Sequence, residues 1–210
     1  MLFIDSADTQ AIRELLASRV FAGVTTNPGI LAKSGMANED LPGLYAELSE
    51  LDAGILFMQT WGKTKDAMRS AADTITALDG DIVVKVPSVP DGYALARELA
   101  DEGTSVLMTM VYHPVQAALA AEVGAWGIAP YVGRMTDQGA DWQAELAKMV
   151  AILSESETRI LAASIRSRDV VSDLLAMGVE DVTMGVPIAR EILDVPSSAT
   201  ALDEFEAIRP

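Results

Sequence analysis

Lys85 stands in the run Asp81-Ile82-Val83-Val84-Lys85-Val86-Pro87, a cation inside an otherwise apolar stretch. Burying a lysine disfavours its ammonium form and can lower its pKa by several units from ~10.4. A neutral amine attacks a carbonyl carbon and gives a Schiff base. The competing reading is a lysine that snorkels to the strand edge or pairs with a carboxylate. Lys33, Lys63, Lys65 and Lys148 fall in polar helical or loop contexts. Asp5 closes the run Phe3-Ile4-Asp5. It reads either as a helix cap or turn residue, or as a carboxylate that binds a substrate hydroxyl and moves protons. Gln59 cannot act as a general base, but it can orient a water. Thr25 with Thr26, then Thr109, Tyr131 and Ser164, end further apolar runs on hydroxyl groups. Arg134 and Arg166 follow two of the later runs. A guanidinium suits a phosphate dianion, and a surface salt bridge is the alternative for each.

Other chemistries are excluded by what the chain lacks. It has no cysteine, so disulfides, thiolate nucleophiles and Cys-ligated zinc or iron–sulfur sites are ruled out. The one histidine, His113, makes a multi-His zinc site impossible and reads as a cap or polar filler at a helix start. We therefore expect no metal site and no cofactor. Thirty-one acidic residues against fifteen basic ones give a net charge of −16, which argues against nucleic acid and against anionic membranes. The start, MLFIDSADTQ, lacks the pattern of a signal peptide. No uncharged apolar run reaches ~20 residues. These observations predict a soluble, cytoplasmic protein.

The candidate residues need elements to carry them. Short apolar runs are expected as strands over Leu2–Asp5, Ala22–Thr26, Ile55–Gln59, Ile82–Val86, Thr104–Thr109, Gly127–Tyr131, Arg159–Ser164 and Asp181–Met184. Most are continuously apolar, as strands buried on both faces of a parallel sheet are. Amphipathic stretches lie between them, such as Met68, Ala71, Ala72 and Ile75 on one helix face. Pro28 and Pro114 mark helix starts, Gly35, Gly103, Gly124 and Gly178 mark helix ends, and Thr64 and Asp91 suit N-caps. Eight strand–helix units in 210 residues, about 26 each, point to a single-domain (β/α)8 barrel over residues 1–210. The first strand is not followed by the GxGxxG that would favour an open dinucleotide-binding sheet. The tail Ala201–Pro210 is an extra, mostly helical segment. In such a barrel the strand C-termini converge on one face, where the active sites of this architecture lie. Asp5, Thr25, Gln59, Lys85, Thr109, Tyr131 and Ser164 would meet there.

The blocks Phe-Ile-Asp-Ser-Ala-Asp, Gly-Val-Thr-Thr-Asn-Pro-Gly-Ile-Leu-Ala-Lys and Ile-Val-Val-Lys-Val-Pro resemble the transaldolase family. Ala-Pro-Tyr-Val-Gly-Arg and Leu-Ala-Ala-Ser-Ile-Arg continue the likeness in order, so that it covers essentially the whole chain. Gln59, Tyr131 and the short chain resemble the fructose-6-phosphate aldolase branch, whereas longer transaldolases carry Glu and tend to carry Phe at those two places. The resemblance implies a class I aldolase without metal on a (β/α)8 barrel, assembled as a symmetric homo-oligomer, a pentamer or a decamer. It implies that Lys85 forms the Schiff base. Asp5, Asn27 and Ser164 would hold the hydroxyls of a ketone donor, with Thr25 lining the same pocket. Gln59, Thr109 and Tyr131 would surround a catalytic water. Arg134 would bind the phosphate of an aldehyde acceptor, and Arg166 stands where the family has a basic partner. Departures from the pattern are Met-Gly-Val-Pro-Ile after the eighth strand, a trimmed C-terminal helix that in the family packs on a neighbouring subunit, Trp61 and His113.

The expected activity is cleavage and formation of fructose 6-phosphate-type sugars from a dihydroxyacetone-type donor and glyceraldehyde 3-phosphate or another aldehyde. The alternative is a transaldolase that moves the three-carbon unit between sugar phosphates. A barrel that binds phosphorylated metabolites without turnover and a pyridoxal-phosphate enzyme using Lys85 are the readings from other classes.

Overall fold

The computed structural model describes residues 1–208. Its centre is a ring of parallel strands, β1 (Leu2–Asp5), β2 (Phe21–Thr25), β3 (Ile55–Gln59), β4 (Ile82–Pro87), β5 (Val106–Val111), β6 (Gly127–Pro130), β7 (Arg159–Ala162) and β8 (Asp181–Met184). Each pairs with its neighbours in chain order, and β8 pairs with β1 to close the barrel. The fold is the expected (β/α)8 barrel with an extra C-terminal helix.

Side chains alternate across each strand. One set (Phe3, Phe57, Val83, Leu107, Ala129 and Leu161) packs inside the ring, with the Phe3 and Phe57 rings edge-to-face at 5.2 Å. The other set, including Ile4, Met58, Val84, Met108, Ile128 and Val182, faces the helices in a separate and larger core. Both faces of the sheet are therefore dry, which is why the runs are continuously apolar. Gly23 is required where β2 meets β3, because a Cβ there would stand 2.0 Å from the carbonyl oxygen of Ile55.

The helices are α1 (Thr9–Leu16), α2 (Pro28–Lys33), α3 (Leu41–Glu50), α4 (Lys65–Thr76), α5 (Pro90–Asp101), α6 (Val115–Glu122), α7 (Val132–Asp137), α8 (Trp142–Leu153), α9 (Arg168–Ala176), α10 (Val186–Leu193) and α11 (Pro196–Ala207). The short helices α2 and α7 are inserted directly after β2 and β6, ahead of the longer α3 and α8. Thr64 caps α4 by accepting a hydrogen bond from the Ala67 amide at 3.3 Å, as expected. Asp91 does not cap α5. Pro90 already occupies the first helical position, and Asp91 instead accepts from the Lys65 amide of α4 at 2.9 Å.

Some strand limits differ from expectation. The second strand runs from Phe21 to Thr25. The fifth starts at Val106 and continues past Thr109 to Val111, because a bulge at Met110 lets pairing resume. The sixth and seventh end at Pro130 and Ala162, beyond which Tyr131 and Ala163 make only an isolated bridge. The helix expected in the tail begins at Pro196; the tail's last two residues, 209 and 210, lie outside the described residues. No helix among the described residues is long and apolar enough to cross a membrane.

Candidate active site

A cavity of about 1030 Å³ opens at the C-terminal ends of the strands. Lys85 lies at its floor. The parity that turns Val83 into the barrel also turns Lys85 inward, with Val84 and Val86 buried on the helix side. Lys85 is 4% exposed, and its Nζ donates to the Thr26 carbonyl oxygen at 2.9 Å. That carbonyl lies one residue beyond β2, just before the chain turns into α2. Burial lowers the Lys85 pKa from its ordinary value, and the nearby Asp5 carboxylate only partly opposes this.

Asp5, at the end of β1, also lines the cavity and remains half-buried. It accepts a hydrogen bond from Thr25 Oγ1 at 2.6 Å. Burial pushes its carboxyl above the usual carboxylate range, against the lowering effects of Lys85, of the Thr25 hydrogen bond and of Lys33. Lysine and aspartate are thus both biased toward their neutral forms, which suits one for attack and the other for carrying a proton.

Gln59 pairs with Lys85 in the β3–β4 register and lines the cavity. Its Oε1 and the Oγ1 of Thr26 are buried without a hydrogen bond to any described residue. Buried polar atoms in folded chains are nearly always satisfied, so the Gln59 acceptor, which faces the cavity, is suited to a ligand or a water, whereas Thr26 does not line the cavity. Tyr131 closes the far side. Its hydroxyl is 2.9 Å from Thr109 Oγ1, and burial raises its pKa. Arg134 lies over the Tyr131 ring at 5.0 Å, next to the Tyr112 hydroxyl at 3.5 Å.

The cavity is lined by Asp5, Asn27, Gln59, Lys85, Tyr131, Arg134, Ser164 and Arg166. Two expected lining residues sit a layer deeper. Thr25 is fully buried and bridges Asp5 and Thr183, at 2.6 Å from each. Thr109 is fully buried behind Tyr131. Strand residues one step below the rim point into the barrel but are covered by the side chains above them, and these two reach the cavity wall only through their hydrogen bonds to Asp5 and Tyr131. Asn27 has a double position: its Oδ1 caps α2 by accepting from the amides of Gly29 and Ile30, at 3.0 and 3.1 Å. Arg166 donates from both terminal guanidinium nitrogens, Nη1 and Nη2, to the Asp137 carboxylate, whose pKa it lowers chiefly through that hydrogen bonding. Its charge is therefore already matched, and Arg134 is left as the arginine of the wall without an ion pair among the described residues. His113 caps the turn before α6, its Nδ1 accepting from the Val115 amide at 3.2 Å, and it does not line the cavity. Trp61 does.

Asp137, Met110 and Lys33 also line the cavity and were not singled out from the sequence. Asp137 carried one usable signal, its position three residues after Arg134 on a short helix, which places both on one face. Met110 carried none, because it projects only through the bulge. Among the described residues no group of three or more His, Asp or Glu side chains is arranged to hold a metal ion.

Residues 2–209 match the family described as Transaldolase/Fructose-6-phosphate aldolase. The chain belongs to this family. It is 33% identical over 206 residues to a probable transaldolase of Caulobacter sp. (strain K31), covering 97% of this chain and 94% of that protein. It is 33% identical over 207 residues to a probable transaldolase of Anaeromyxobacter sp. (strain K), covering 98% and 94%. As a family member it is an enzyme of the transaldolase/aldolase class. Solved structures share the fold at low identity. A crystal structure of a mandelate oxidase variant has a TM-score of 0.62 at 15% identity, over 89% of this chain and 64% of that one. Thiamine phosphate pyrophosphorylase from Pyrococcus furiosus has 0.61 at 18%, over 90% and 86%.

Proposed function

We propose that this enzyme is a Schiff-base aldolase that cleaves and forms fructose 6-phosphate-type sugars. The observation that carries the reading is Lys85, buried at the floor of an open cavity with a lowered pKa and Asp5 beside it. In the cleavage direction, neutral Lys85 adds to the ketone carbon, and loss of water leaves an iminium. This electron sink draws in the pair of the C3–C4 bond as the C4 hydroxyl loses its proton. Glyceraldehyde 3-phosphate leaves, and an enamine remains on Lys85. Protonation of the enamine carbon and addition of water free dihydroxyacetone and the amine. Asp5 and a water held by Gln59 and Tyr131 exchange these protons, with Thr109 and Thr25 orienting Tyr131 and Asp5. Asn27 and Ser164 bind donor hydroxyls, and Arg134 binds the acceptor phosphate. Arg166, neutralised by Asp137, shapes the wall beside it.

The names of the relatives favour the second reading, transfer of the three-carbon unit to another aldehyde. It shares every step up to the enamine and differs only in what captures it. Gln59 and Tyr131 near the enamine favour a water and hence release of the free ketone. We further propose that the chain assembles as a homo-oligomer through α11. This helix buries none of its residues, and Leu202, Phe205 and the following Ile208 are exposed along it.

Borohydride reduction in the presence of dihydroxyacetone is expected to add the ketone's mass less one oxygen to the peptide carrying Lys85, since imine formation expels water and reduction adds two hydrogens, and Lys85→Ala is expected to abolish both adduct and turnover. An adduct that survives in Lys85→Ala sinks the assignment. Free dihydroxyacetone formed from fructose 6-phosphate without added aldehyde marks the aldolase; glyceraldehyde 3-phosphate and a new ketose formed only when an acceptor aldehyde is added, without free dihydroxyacetone, mark the transferase.

A further inference from the structure

Seen around the ring, the cavity has two unlike walls. Asp5, Asn27, Arg134 and Ser164 supply hydrogen-bonding groups from the ends of β1, β2, β6 and β7. The strands β3, β4 and β5 are neighbours between these, and above Gln59 and Lys85 their side of the lining is Thr60, Trp61, Gly62, Pro87 and Met110, with Trp61, Pro87 and Met110 supplying its large apolar surfaces. Pro87 is two residues beyond Lys85 on the same strand, so the apolar wall rises directly above the nucleophile. Trp61 is half-buried and packs on the outer core, which holds its ring in place.

Met110 reaches this wall through a backbone irregularity. It follows inward-facing Thr109, so regular alternation would turn it toward the helices. Instead the β5–β6 register shifts between Thr109 and Val111, and Met110 has a φ of 61°. A bulge of this kind re-aims a side chain next to an active site. A left-handed non-glycine residue is strained, and such strain persists only where the surroundings enforce it. The result is a flexible thioether side chain half-buried against the inner cluster of the barrel and lining the cavity.

We propose that Trp61, Pro87 and Met110 form an acceptor subsite for the hydrocarbon face of an aldehyde, so that the enzyme takes aldehydes with an alkyl or aryl chain and no phosphate. The subsite rests on the Schiff-base reading given above. In the step it serves, the enamine's electron pair forms the new carbon–carbon bond at the aldehyde carbon, and the aldehyde oxygen takes a proton. Water then releases the product from Lys85, replacing the water lost when the imine formed. Phosphorylated acceptors reach the same carbon with their charge at Arg134 on the opposite wall.

The test compares 3-phenylpropanal with glyceraldehyde 3-phosphate as acceptors for dihydroxyacetone. The unaltered enzyme is expected to turn over both. Trp61→Ala is expected to lower the kcat/KM ratio, 3-phenylpropanal over glyceraldehyde 3-phosphate, about tenfold, the size typical of a lost apolar contact. Met110→Ala is expected to lower the same ratio, and Trp61→Phe, which keeps a ring, to restore most of it. No addition to 3-phenylpropanal while glyceraldehyde 3-phosphate is consumed overturns the subsite, as does a ratio that stays the same in Trp61→Ala. Borohydride trapping of dihydroxyacetone needs no acceptor and separates the two claims. An adduct at Lys85 without use of 3-phenylpropanal removes the subsite alone, and absence of any adduct removes both.

Discussion

At the scale of single residues, the site depends on two groups whose ordinary charges are disfavoured by the same burial. Lys85 must lose its proton to attack, so activity is expected to fall as pH drops through its folded-state pKa, because an ammonium has no free electron pair. That pKa is set by burial, which lowers it, and by Asp5, whose negative charge raises it. In Asp5→Asn the second influence is gone. The acid limb of the kcat/KM profile is therefore expected to move to lower pH, although the maximal rate falls with loss of the proton carrier. An acid limb that moves up or stays fixed would show that Asp5 does not act on Lys85 through its charge. The same shifts act on stability in opposite directions. A lysine with a depressed folded-state pKa takes up a proton on unfolding at any pH between its folded and unfolded values, so its contribution to stability increases with pH across that window. Asp5, with a raised pKa, releases a proton on unfolding between 3.8 and its folded value, so its contribution decreases there as pH rises.

At the scale of elements, the short helix α7 holds one side of the mouth together. It places Arg134 on the wall and Asp137 against Arg166, and it lies close to the chain after β7. The Gly133 amide donates to the Ser164 carbonyl oxygen at 3.0 Å. A Cβ at Gly133 would stand 2.4 Å from that oxygen, 2.8 Å from Arg166 Nε and 3.0 Å from Ser164 Oγ. Ser164 itself has a φ of 61°, so this segment has little freedom to give way. Gly133→Ala is expected to cost about 1–3 kcal/mol of stability, as overpacking does. It is also expected to raise KM for phosphorylated substrates, because Arg134 is the next residue. Denaturant unfolding and kinetics with fructose 6-phosphate check both, and an unchanged KM would show that the wall tolerates the shift. The β5 bulge does at Met110 what α7 does at Arg134: a local departure from regular geometry brings a side chain to the rim.

At the scale of the whole molecule, the barrel is closed and α11 buries none of its residues. Leu202, Phe205 and Ile208 are 61%, 70% and 75% exposed, a row of apolar side chains no part of the described barrel covers. Phe205→Asp combined with Leu202→Asp is expected to reduce the assembly size in sedimentation or light scattering and to leave barrel unfolding little changed, since neither side chain is in its core. An unaltered size would place the interface elsewhere. Much of this architecture was legible from the chain. The continuous apolar runs of β1 to β8 follow from burial on both faces, and Lys85 was conspicuous because a charge in such a run needs a reason. The resemblance added Asn27, which no periodicity marks, whereas Ser164 was already marked as the polar end of an apolar run. Other features were not legible. Thr25 and Thr109 were expected on the wall, but depth along a barrel axis depends on how neighbouring strands are staggered. Arg166 read equally as a phosphate ligand or a salt-bridge partner, and its pairing with Asp137, which decides for the ion pair, joins residues 29 apart in sequence. The residue types and the alternation of apolar runs with amphipathic stretches thus determined the barrel, the burial of Lys85 and the gathering of polar residues at the strand ends, because these follow from local pattern and solvent exclusion. Only the tertiary structure decided which polar groups face the cavity, which are already paired, and where Met110 points, because these depend on distances between segments remote in sequence.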